Sequence, residues 1–173
     1  MSRKAGLLGV TKKLVLLAGI TLLTITIIIG LTFIFSQKLM VSWLCMFCGI
    51  LGGFVSIQQR LKKISDEELQ ILSESWFQIL LIPIYGGIFS LLLYILFISE
   101  IISGQFFPSF NFPDVPKTGV DSEYFKSFFT DTYPSSGKEL AKLLFWTFIA
   151  GFSERFVPQI ITDISKKTDL SIK

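Results

Sequence analysis

A chain of 173 residues that is 51% hydrophobic and 14% aromatic, with 18 Phe and a mean hydropathy of +0.64, is too apolar for a soluble domain of its size. It has no His, two Cys and a net charge of only +3. No protein-ligated catalytic metal or cofactor is therefore expected, and a catalytic dyad or triad with His as base is excluded. The composition points to an all-α integral membrane protein without enzymatic activity or direct nucleic-acid binding.

Arg3, Lys4, Lys12 and Lys13 precede an apolar run from Leu14 to Phe35, too long for a signal-peptide core, so the first transmembrane helix is expected over about 14–36. Its Thr21, Thr24 and Thr32 fall near one face, either as a polar stripe or as hydroxyls bonded back to their own helix. After the turn Ser36-Gln37-Lys38 a second helix is expected over 39–57, with Gly49 and Gly53 at the GxxxG spacing that lets helices approach closely. Cys45 and Cys48 in the same run lack a second pair and a neighbouring base, and are expected to pack rather than to react.

Residues 58–75 are polar, and Ser65-Asp-Glu-Glu68 has capping-box spacing. From there one unbroken helix is expected over 66–102, with Trp76 as an interfacial anchor, Pro83 as a kink, and Gly86 and Gly87 as close-contact points. Leu69, Leu72 and Trp76 share a side of its polar start and are expected to pack against another segment. The loop 103–137 is dense in aromatics and prolines. Tyr124, Phe125, Phe128 and Phe129 recur at helical spacing, predicting a short amphipathic helix in the membrane surface. With Phe106 and Phe107 these residues are either a belt around the bundle or a surface that senses the outer leaflet.

A second capping-box pattern, Ser136-Gly-Lys-Glu139, opens a fourth helix over about 138–157. Near its end stand Glu154 and Arg155. Adjacent helical residues point about 100° apart, so the two cannot satisfy each other and each requires a partner elsewhere. Arg60 and Lys63 are the candidate partners for Glu154, and Pro158 leaves the Glu154 carbonyl without its helical donor. This charged end can be a static clamp or a two-state switch. From Val157 into the tail 158–173 apolar residues recur at Val157, Ile160, Ile161 and Ile164, an amphipathic pattern for the inner surface. Eleven of the 16 Lys and Arg fall before residue 14, in 58–75 or after Glu154, so the positive-inside rule puts both termini and the 58–75 segment in the cytoplasm. Glu67, Glu68, Lys166 and Lys167 are then candidate docking residues for a cytosolic effector. A competing function is an oligomeric pore lined by rings of Glu154 or Glu100.

The stretches Gly52-Gly53-Phe-Val-Ser-Ile-Gln-Gln-Arg60, Tyr85-Gly-Gly87 and Ala150-Gly-Phe-Ser-Glu-Arg155 resemble those of small bacterial four-helix membrane proteins, in particular the membrane subunits of Kiwa anti-phage defence systems. The resemblance implies a homo-oligomer in the bacterial inner membrane, in contact with membrane lipid, that detects phage and works with a cytosolic, DNA-binding effector. It supplies no site residues, and the matching stretches do not include the aromatic loop.

Overall fold

The computed structural model describes residues 3–34, 40–61, 64–116, 121–153 and 161. The chain runs α1 (Arg3–Ile34), α2 (Val41–Arg60), α3 (Asp66–Glu74), α4 (Trp76–Ile98), β1 (Phe110–Asn111), α5 (Ser122–Asp131), β2 (Tyr133–Pro134) and α6 (Gly137–Phe152). Among the described residues three helices are long and apolar enough to cross a membrane: Gly6–Leu31 within α1, then α2 and α4. The fourth helix, expected over about 138–157, is corrected to α6 ending at Phe152, where Ser153 takes extended backbone (φ −114°, ψ 101°); its 16 residues extend about 24 Å, short of a hydrocarbon core of about 30 Å.

The centre is a three-helix unit of α2, α4 and α6. Its glycines replace the side-chain layer that would hold the helices apart. One apolar cluster, with Cys45, Leu93, Phe97 and Leu143, fills the end of this unit nearest the 99–136 loop. A second cluster fills the opposite end, where Val10 and Leu14 of α1 meet Phe54, Ile57 and Leu61 of α2, Leu69 and Leu72 of α3, and Ile79 of α4. Helix α1 leans on the unit only through this second cluster. Beyond it Ile20, Leu23, Ile27 and Leu31 are exposed, an arrangement that water would penalise and lipid would not.

The expected unbroken helix over 66–102 is corrected to two helices. At Ser75 the backbone is extended (φ −109°, ψ 119°), and α4 stops at Ile98, followed by turns through Ser99 and Glu100. The periodicity hid the break because Leu69, Leu72 and Ile79 are all buried in one cluster. What divides them is packing: Leu69 lies against Gly6, so α3 is drawn sideways onto α1. The signal that could have marked the break is Ser75-Trp-Phe-Gln78, another Ser-x-x-Glu/Gln pattern, with Ser75 at the N-cap position although its side chain makes no capping bond. Helix α1 also begins earlier than expected, at Arg3 rather than Leu14, placing Lys12 and Lys13 on the helix itself.

Other expectations agree with the structure. The hydroxyls of Thr21 and Thr24 donate to Leu17 O and Ile20 O, each at 2.9 Å, so they are spent within α1. Trp76 receives the Lys13 ammonium over its ring at 5.0 Å. The predicted amphipathic helix in the loop is α5, whose start is capped by Asp121 Oδ1 accepting from Tyr124 N at 2.8 Å. A two-residue antiparallel ribbon, Phe110 opposite Pro134 and Asn111 opposite Tyr133, closes the loop on itself.

Candidate functional site

The glycines named from the sequence meet inside the chain. A side chain at Gly86 would lie 2.6 Å from Gly49 O, and one at Gly53 2.6 Å from Pro83 Cα. Gly87 faces Ile50 and Met46. Two further glycines complete the contact: Gly52 against Phe148 O and Phe152 N, and Gly151 against the Gly49 peptide. Gly52 stands in the same Gly49-to-Gly53 run, and Gly151 in the Ala150-Gly pair, but only their approach across helices reveals their role. The four glycines expected as close-contact points thus pack helices of the same chain against one another.

Between these glycines the unit carries its buried polar contacts. Ser90 Oγ donates to Thr147 O of α6 at 2.5 Å, and Thr147 Oγ1 bonds back to Leu143 O at 2.9 Å. Cys45 is fully buried and Cys48 half-buried, both as free thiols. Among the described residues no group of three His, Cys, Asp or Glu could hold a metal ion.

At the loop end, side chains bind the loop to α6. Ser136 Oγ accepts from Glu139 N at 3.3 Å, as the capping pattern predicts. The Glu139 carboxylate is turned to the loop instead of back to its own cap: Oε2 accepts from Ser109 N at 3.0 Å, and Oε1 pairs with Lys142 Nζ at 2.9 Å. Lys142 Nζ also donates to Gln105 O at 2.8 Å, and Trp146 Nε1 donates to Phe106 O at 2.9 Å. Of these hub residues Glu139 was expected only as a capping residue, and Lys142 and Trp146 were not expected. Glu139, Lys142 and Trp146 stand at i, i+3 and i+7, on one face of α6, which is the signal the sequence offers.

The six loop aromatics divide by role. Phe107 lies between Phe97 of α4 and Trp146 of α6, with ring centroids 5.7 and 5.3 Å away. Phe128 stacks on Phe112 at 5.9 Å and touches Tyr124, and Phe110 meets Tyr94 edge-on at 6.1 Å. Phe106, Phe125 and Phe129 point outward, 79%, 58% and 48% exposed. The described loop residues therefore cap this end of the bundle, with Phe106, Phe125 and Phe129 among their exposed apolar side chains.

The opposite end holds Arg60, a candidate partner of Glu154, and the candidate docking residues Glu67 and Glu68. Arg60 closes α2 with its side chain exposed, and Glu67 is exposed on α3, where Glu68 also lies. Glu154, Arg155, Pro158, Lys63, Lys166 and Lys167 lie outside the described residues, as do the charged helix end and the tail built on them. Glu100, offered as a pore-lining residue, stands in an exposed turn beyond α4 with φ 57°, not along a span.

No family model, curated protein or solved structure matches this chain.

Proposed function

We propose that the chain is a non-enzymatic sensor and scaffold subunit of the bacterial inner membrane, part of an anti-phage defence complex, in which copies self-associate and hold a cytosolic DNA-binding effector. In this reading the chain from Gly137 onward makes the fourth membrane crossing, the 99–136 cap faces outward, and both termini with α3 face the cytoplasm. The observation that carries it is the seat of Phe107 between Phe97 and Trp146. That seat, with the Glu139–Lys142 hub beside it, ties a cap with exposed apolar tips to α4 and α6 together. A disturbance of the surface around Phe106, Phe125 and Phe129 would then move α6, whose far end leads in sequence to Glu154 and Arg155. The exposed Glu67 on α3 and the basic tail with Lys166 and Lys167 supply effector contacts of both signs.

The test is extraction of the tagged full chain in mild detergent from cells that also express its neighbouring genes, followed by complex mass and composition. A stoichiometric cytosolic protein is expected, lost on truncation after Phe156 or on charge reversal in 60–68. A homo-oligomer without a soluble companion, conducting ions in bilayers with a selectivity altered by Glu154→Gln, would replace this reading with a pore.

A further inference from the structure

Helices α1 and α2 diverge above their shared cluster and leave a groove of about 240 Å³ between them. Val15 and Leu22 form one wall and Leu51 and Val55 the other, while the buried Leu14 and Phe54 close its floor. The groove is polar at one end only, where Thr11 and Gln58 line it, and the exposed Lys12 adjoins Thr11. From Thr11 to Leu22 a helix rises about 16 Å, close to half of a hydrocarbon core of about 30 Å. The cleft is thus apolar over the depth of one leaflet and polar where that leaflet's headgroups begin.

Charge selects the occupant. Neither Arg3–Ile34 nor Val41–Arg60 contains an acidic residue, and their charged residues are Arg3, Lys4, Lys12, Lys13 and Arg60, all at the end where Thr11 and Gln58 stand. Among the described residues the carboxylates of this end belong to α3, which packs on α1 at Gly6, about 140° around the helix from Thr11. A negative headgroup is favoured there and a net-neutral one is not. We propose that this groove is a binding site for one anionic phospholipid, an acyl chain lying along Val15, Leu22, Leu51 and Val55 and the phosphate held at Lys12, Thr11 and Gln58. The lipid completes the packing of α1 against α2 where no side chain does. The site rests on the membrane reading of α1 and α2 and not on any defence partner, so it stands or falls separately from the effector experiment.

The full chain would be reconstituted in phosphatidylcholine vesicles containing phosphatidylglycerol with a photoactivatable diazirine in its acyl chain, irradiated, and its adducts mapped by mass spectrometry. Adducts on 11–22 and 51–58 are expected at about tenfold the level on the exposed α4 residues Ile84, Ile88 and Ile95, with unlabelled phosphatidylglycerol competing about tenfold better than phosphatidylcholine. Ala18→Trp, which fills the groove, should remove these adducts and leave those on α4. Should that variant not fold, Lys12→Glu at an exposed position decides, by bringing the two competing lipids level. Labelling of the groove no stronger than of α4, or equal competition by the two lipids from the outset, overturns the proposal. So does an unlabelled groove whose Val15 and Val55, changed to Cys, cross-link between copies, because a second chain then covers it.

Discussion

Gly151 of α6 lies against the main chain of Gly49 of α2, so closely that a Cβ at Gly151 would overlap the Gly49 carbonyl. An added Cβ at Gly151 meets the Gly49 backbone, and one at Gly49 meets the Ser90 side chain and the Gly86 carbonyl of α4. Gly49→Ala and Gly151→Ala must therefore spread the helices. A cost at or above the usual overpacking range of about 1–3 kcal/mol is expected, visible as a lower melting temperature in detergent. Gly19→Ala is the control, since nothing lies within 4 Å of an added Cβ there. It should be neutral or gain up to about 1 kcal/mol from helix propensity. Equal melting of all three variants would show that the glycine junction is not what holds the bundle.

The Ser90 hydroxyl supplies a directional bond across the same junction, to Thr147 O at 2.5 Å. Interhelical hydrogen bonds of membrane bundles average about 0.6 kcal/mol, so Ser90→Ala should lose about that much. Thr147→Val keeps the acceptor, which is a backbone oxygen, and gives up a hydroxyl bonded within its own helix. Its loss should be the smaller of the two. Chemical denaturation of both variants in one detergent orders them, and a reversed order would refute the assignment of the cross-helix bond.

Trp146 holds the cap in two ways, by its Nε1 hydrogen bond to Phe106 O and by its ring against Phe107. Trp146→Phe removes the first and keeps much of the second, for a loss of about 0.5–1.5 kcal/mol; Trp146→Ala removes both. Amide exchange in 103–112 should rise modestly in the first variant and strongly in the second. Exchange in 41–60 should stay unchanged, because α2 is held by the glycines. Glu139→Gln should loosen the cap in the same direction, since Lys142 loses its carboxylate and keeps the Gln105 carbonyl.

The bundle was legible where one physical signal acts alone. The apolar runs gave α1, α2 and α4, and the spacing of Tyr124, Phe125, Phe128 and Phe129 gave α5. The signal failed where two agreed for different reasons. Leu69, Leu72 and Ile79 keep helical register across Ser75, so periodicity reads as one helix what packing onto Gly6 divides in two. The glycines were legible as close-contact positions but not as to what they contact, because a GxxxG face describes a surface and not its partner. The contacts of the cap hub were not legible at all. Glu139 and Ser109 are 30 residues apart, and no local pattern records that the carboxylate turns to the loop.

Tyr94 and Tyr133 bring two phenol hydroxyls into the apolar contact between cap and bundle. Tyr94 is 2% exposed and, among the described residues, neither hydroxyl has a hydrogen-bond partner. A buried hydroxyl without a partner costs about 1–3 kcal/mol, whereas its ring contributes packing, here the edge-on contact with Phe110. Tyr94→Phe keeps the ring and removes the unsatisfied atom. It should raise the melting temperature, by the equivalent of about 1 kcal/mol or more. Tyr94→Leu loses the ring contact as well and should lower it. If Tyr94→Phe instead destabilises the chain, the hydroxyl is held by a group that moves to meet it, and the cap has a second arrangement over α4.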